Sequence, residues 1–144
     1  MPAILAQAQK QASGFHSSVN WFDYQRDTQL ATTIEKLSVP DLMTFEWQNI
    51  PLGALCLPGL RWILRIHHLE DDENTRYLLR EYILSAWNVA GKFSRFLDET
   101  NPRAVVVFNG QFFPEAIARY ISQKRGLKLV THEVGLLPAT AYFT

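Results

Sequence analysis

The sequence predicts an α/β domain, a three-layer sandwich in which helices cover both faces of a short parallel sheet. One observation is a helix, glycine, strand pattern that occurs near each end of the chain. Another is a near-continuous apolar run, Ala104 to Asn109, of the kind that a parallel strand buried on both faces requires. The third is size: 144 residues, 47% of them apolar and 19% charged, support one hydrophobic core and are too few for two.

Taken in order, Pro2 opens PAILAQAQKQAS, a run whose apolar residues share a helical face, and Gly14 stands where a left-handed terminator belongs. The apolar, β-rich segment Val19 to Tyr24 predicts a strand. Only Met1 precedes Pro2, so the strand and loop that should feed this helix have no counterpart. The first strand is missing on this reading, and 1–144 is expected to be a single partial domain of a longer α/β protein.

Thr28 to Leu37 predicts a short helix with Leu30, Ile34 and Leu37 on one face, and Met43 to Trp47 is β-prone. Pro58-Gly59 predicts a turn, followed by a helix from Leu60 to Leu69. The longest helix should start at Asp72, whose carboxylate is placed to cap it, and run to Glu99 before Asn101-Pro102 stops it. Its stripe of Leu79, Ile83, Ala86, Ala90, Phe93 and Leu97 is expected to pack on the sheet. Near the other end Pro114 opens PEAIARYISQKR, Gly126 ends it, and Lys128 to Glu133 reads as a strand. A right-handed crossover makes this strand parallel to Ala104 to Asn109, and helices on both faces would place Val106 in the core.

Fourteen basic residues balance fourteen acidic ones, so the chain lacks the electrostatic footprint of a nucleic-acid or anionic-membrane binder, and no nucleic-acid partner is expected. The one cysteine, Cys56, lies among apolar neighbours and reads as a buried thiol of a reducing compartment. The longest apolar stretch, Ile50 to Leu60, is broken by Pro51, Gly53, Pro58 and Gly59 and falls short of the roughly 20 residues of a membrane helix. No transmembrane segment and no secretory signal is predicted, which makes a cytoplasmic location the expectation. No G-x-G-x-x-G or Walker loop is present, and the adjacent pair His67-His68 diverges on a helix, so neither a dinucleotide, a P-loop nor a metal site is predicted.

Ligands of parallel α/β sheets sit at the carboxyl ends of strands. Two such ends are Asn109-Gly110-Gln111 and His132-Glu133-Val134-Gly135, on one edge of the sheet. Asn109 can orient hydroxyls, Gly110 allows close backbone approach, and Glu133 or His132 can act as acid, base or hydroxyl acceptor. The alternative is that Asn109-Gly110 is a turn and Glu133 caps a helix or pairs with an arginine. A second constellation, Arg61, Arg65 and His68, falls at helical spacing and suits a phosphate or carboxylate. Here the alternative is local ion pairing with Glu70, Asp71, Asp72 and Glu73.

FNGQFFPEA, Phe108 to Ala116, followed by THEVGLLP, Thr131 to Pro138, resembles the N-terminal domain of bacterial surface-polysaccharide glycosyltransferases of the two-domain GT-B type. The segment PLGALCLPGLRWILRIHHL is also similar to the stretch that precedes the long helix in such proteins. The resemblance implies a Rossmann-like domain that receives a glycan or lipid-linked acceptor. A separate C-terminal domain would bind the nucleotide sugar, and no cofactor is implied for this chain. Asn109, Gly110, Glu133 and Gly135 would line the cleft, and the chain alone would be inactive. The competing class is a non-catalytic α/β interaction module.

Overall fold

The structure, a computed structural model, describes Ala6, Lys10 and residues 24–144. Of the predicted first helix it describes Ala6 and Lys10, both helical, and the predicted strand at Val19 lies outside the described residues except for Tyr24, which is exposed coil.

Its longest element is the helix α4, Glu73–Thr100. Asp72 caps it by accepting the Thr75 N–H at 2.8 Å, and Asn101, left-handed at φ 43°, ends it. Leu79, Ile83, Ala86, Ala90 and Leu97 are buried as their period requires, with Phe93 packed beside them. Each fully buried leucine or isoleucine contributes about 1.5–3 kcal/mol. The partners of this stripe are mainly helices: α1 (Thr28–Ile34), α2 (Val39–Met43), α3 (Leu52–Leu64) and α5 (Glu115–Lys124). The expected packing on the sheet is therefore largely replaced by helix-on-helix packing.

Two carboxylates tie the short helices to α4. Asp27 accepts the Leu30 N–H at 2.9 Å, capping α1, and the Trp87 Nε1–H at 2.8 Å. Asp71 accepts from Val39 N at 2.9 Å and from Arg76 Nε at 2.7 Å, joining the start of α2 to the first turn of α4. Those bonds hold the Asp71 carboxyl at about 2.

The region before α4 corrects the sequence reading. Met43 to Trp47 is not a strand: α2 ends at Met43, and only an isolated bridge joins Trp47 to Ile50. Ser38 and Asp41 form a capping box, and Pro40 stands in the first turn, so local helix-start chemistry outweighs β propensity. Likewise, Pro58-Gly59 is no turn. Helix α3 runs through both residues and ends at Leu64, because Leu52, Gly53, Cys56, Gly59 and Leu60 are buried against its neighbours. A Cβ on Gly53 would lie 2.0 Å from the Leu42 carbonyl oxygen, so that glycine marks close helix contact. Burial also pushes the Cys56 thiol up to about 12, which keeps it an inert core group.

Strands β1 (Ala104–Phe108) and β2 (Lys128–Val134) pair in parallel, Ala104 opposite Lys128 and Phe108 opposite His132. Between them α5 ends at Lys124, Arg125 is its C-cap, and Gly126, at φ 66°, makes the left-handed exit. The third strand, β3 (Ala141–Phe143), pairs antiparallel with β2 and was not predicted, so the three-stranded sheet is mixed. The domain is thus α/β with a small mixed sheet.

The placement of Val106 in the core is overturned. Val105 and Val107 face the helices, while Val106 is 61% exposed, because the other face of the sheet carries no helical layer among the described residues. Val107→Asp is therefore expected to cost about 3–5 kcal/mol in urea denaturation by burying an unpaired charge. Val106→Asp should cost no more than about 1 kcal/mol, and equal losses would contradict the one-sided sheet.

Asp71 also makes a pH prediction. Its folded value lies below the roughly 3.9 of an unfolded aspartate, so its stabilisation is present above pH of about 4 and is lost as pH falls towards about 2. The melting midpoint should drop through this window, and in Arg76→Gln the drop should be shallower.

Candidate functional site

The parallel register decides where the two predicted loops meet. Phe108 lies opposite His132, and the Asn109 N–H continues the ladder by donating to the His132 carbonyl at 2.7 Å. The chain then turns through two left-handed residues, Asn109 at φ 55° and Gly110 at φ 73°, residue types that accept this conformation. The Asn109 Oδ1 accepts the Gln111 N–H at 2.9 Å, which closes the turn and aims the amide nitrogen at β2. There Asn109 Nδ2 donates to Glu133 Oε2 at 2.5 Å, while Glu133 Oε1 accepts from its own neighbour, Val134 N, at 2.9 Å.

Glu133 and Asn109, 24 residues apart in the chain, therefore form one unit at the carboxyl edge of the sheet. The Asn109 amide first, then the Val134 N–H and the nearby His132, hold the Glu133 carboxyl below its ordinary value, outweighing desolvation. A carboxylate so held is a weak base at neutral pH and a poor acid, but a good hydrogen-bond acceptor. It borders an open cleft of about 250 Å³ whose walls include Asn109, Thr131, His132, Tyr142 and Thr144. That chemistry suits a ligand that presents hydroxyl groups.

The other predicted residues fall differently. His132 borders the cleft, with its ring against Phe108 (centroids 5.3 Å apart) and Phe143 (6.0 Å); it shares none of the Glu133 hydrogen bonds. Gly110 is buried, and a Cβ there would meet Thr131 Cγ2 at 3.0 Å and Arg119 Cδ at 3.1 Å, so its close approach is to the protein itself. Gly135 serves the turn into β3: its N–H donates to the Thr140 carbonyl at 2.9 Å, and a Cβ would come within 2.0 Å of Thr140 Oγ1.

The basic stripe is not assembled. Helix α3 ends at Leu64, and Arg65 is left-handed at φ 56°, so Arg61, Arg65 and His68 do not continue on one helical face. Neither arginine borders the cleft. The alternative of local ion pairs is not realised either: Asp71 is bound by Arg76, Asp72 caps α4, and Glu73 pairs with Arg80 at 2.5 Å.

Tyr142 and Thr144 were missed because β3 was missed. The adjacent aromatics Tyr142 and Phe143, residue types enriched in strands, are the local signal for them. A larger groove of about 540 Å³, between α1 and α4, was also unforeseen. Its cations are already paired, Arg26 with Glu81 at 2.9 Å and Arg80 with Glu73, which leaves neither guanidinium bare for an anionic ligand. The partners of that first pair lie 55 residues apart, beyond any local sequence signal.

Asn109→Ala is expected to raise the Glu133 carboxyl towards an ordinary glutamate, read by carboxyl-carbon NMR during an acid titration; an unmoved titration would show that the amide does not hold it. Compared with known protein families, with curated proteins and with solved structures, the chain matches none.

Proposed function

We propose that this chain is the acceptor-side, Rossmann-like half of a GT-B glycosyltransferase of bacterial surface-polysaccharide synthesis, acting in the cytoplasm on a glycan or lipid-linked acceptor. A second domain would supply the nucleotide sugar. The observation that carries the reading is the Asn109–Glu133 unit, formed where two parallel strands end side by side. The same residues carry the family resemblance, Asn-Gly after one strand and Glu-x-Gly after the next.

The chemistry follows from the groups present. Sugar transfer requires the acceptor hydroxyl to be held in line with the donor's anomeric carbon, and about 1 Å of misplacement costs around a hundredfold in rate. An ionised Glu133, fixed by Asn109 and Val134, accepts an acceptor hydroxyl and sets its direction. Its lowered pKa favours positioning over proton abstraction at neutral pH. His132, at the cleft border, has no such orienting bond.

A second reading, a non-catalytic interaction module, is favoured by the open face of the sheet, where Val106, Phe108, Val134 and Phe143 are exposed together.

Titrating the ¹⁵N-labelled chain with a panel of neutral mono- and oligosaccharides is expected to shift the amides of Gly110, Gln111 and Val134. Glu133→Gln should weaken binding by about tenfold, as loss of a charge-assisted hydrogen bond does. The isolated chain should release no nucleotide from a nucleotide sugar. The transferase reading fails if no saccharide perturbs these amides, or if Glu133→Gln binds as the parent does.

A further inference from the structure

At the end of α3 the chain shows solvent an unusual run of side chains. Trp62 is 68% exposed, Ile63 58% and Ile66 43%, three large apolar side chains close together in solvent. Two features shape this run. Arg65 leaves the helix in the left-handed conformation, and the Ile66 N–H folds back on the Arg61 carbonyl at 3.2 Å, closing a tight tip. Beneath the tip, the Trp62 ring rests on Phe112, with centroids 5.5 Å apart, so its base is anchored to the loop that follows β1.

The charge of the tip is also unbalanced. Arg61 and Arg65 have no acidic partner among the described residues, and the Arg61 Nε is buried without a hydrogen-bond acceptor. His67 and His68, both exposed, follow them with their rings in edge contact at 5.0 Å. The acids that come next are engaged elsewhere: Asp71 by Arg76, Asp72 at the cap of α4, Glu73 by Arg80, leaving Glu70 as the one uncommitted carboxylate of that run.

We propose that the segment Arg61 to His68 is a peripheral docking tip for an anionic lipid surface. Trp62, Ile63 and Ile66 enter the headgroup boundary while Arg61 and Arg65 meet lipid phosphates. The pairing of bulky apolar side chains with uncompensated cations is what an interfacial site requires: the apolar groups gain by burial, and the cations gain by neutralising the surface. A tryptophan is well suited to that depth, since its ring is apolar and its indole N–H is a donor. The chain has no net charge, so the attraction is local to the tip and acts over about one screening length. No described helix is long and apolar enough to cross a membrane, and docking of this kind needs none. The inference does not rest on the transferase reading, because vesicle binding is read without any sugar.

The test is co-sedimentation of the 144-residue chain with vesicles of phosphatidylcholine alone and of phosphatidylcholine with phosphatidylglycerol. Wild type should sediment with the phosphatidylglycerol vesicles and stay in solution with the neutral ones. Raising salt from about 0.1 M to about 1 M, which shortens the screening length from about 10 Å to about 3 Å, should release it. Trp62→Ser/Ile63→Ser should weaken binding by roughly tenfold or more, and Arg65→Gln by about fivefold. Circular-dichroism melting checks that each variant is folded; should the double variant unfold, Arg65→Gln and the salt series decide alone. Wild type that stays in solution with anionic vesicles overturns the proposal, as does equal binding to both vesicle types or unchanged binding by folded variants. So does a wild-type dimer that Trp62→Ser/Ile63→Ser converts to monomer without any vesicle binding, which would make the tip a contact between copies of this chain.

Discussion

The buried stripe of α4 is the constraint on which the other elements depend. Leu79, Ile83, Ala86 and Ala90 have essentially no exposed surface, and α1, α2, α3 and α5 each reach the core by packing against this helix. Short helices such as α1 and α2 are too short to be stable by themselves, so their order comes from this contact. The two aspartates follow the same logic. Asp27 and Asp71 each cap or catch a short helix and bind α4 with a second oxygen or a shared one, so the local start of a helix and its docking become one event.

Because the helices use one another as partners, the sheet is left covered on one side. Val105 and Val107 join the common core, and Val106 and Phe108 do not. This asymmetry concentrates the polar chemistry at the carboxyl edge. There, Asn109 spends its carbonyl on closing its own turn and its amide on Glu133, leaving the carboxylate charged and oriented. A glutamate tuned in this direction directs a hydroxyl better than it removes its proton.

Beside Leu136 and Leu137 in the β2–β3 turn, exposed apolar surface includes two places of different character. The open sheet face is bounded by backbone ladders and presents few charges, whereas the tip after α3 combines Trp62 and Ile63 with two arginines that have no acidic partner among the described residues. The difference is chemical as well as geometrical. A flat apolar face suits another protein surface, while exposed Trp62, Ile63 and Ile66 beside Arg65 suit the graded polarity of a lipid interface.

The sequence by itself determined whatever rests on neighbours within a turn or two. Asp72 as a cap, Asn101 as a stop, Gly126 as a left-handed exit and the period of Leu79, Ile83 and Ala90 were all legible, as was the parallel pairing of Ala104–Phe108 with Lys128–Val134 through its crossover helix. The residue types of the candidate site were legible too, because Asn-Gly and Glu-x-Gly end their strands. Only the tertiary structure decided the rest. Pro58 and Gly59 look like breakers locally, yet burial of Cys56 and Leu60 holds α3 together across them. Val106 looks like core until the helices are seen to choose α4 over the outer sheet face. The arginine stripe dissolves because Arg65 turns left-handed, and Asn109 meets Glu133 only because the register sets Phe108 against His132. Helix starts and stops are short-range and are written in a few residues, whereas burial and register are shared among segments distant in the chain, so no single stretch of sequence contains them.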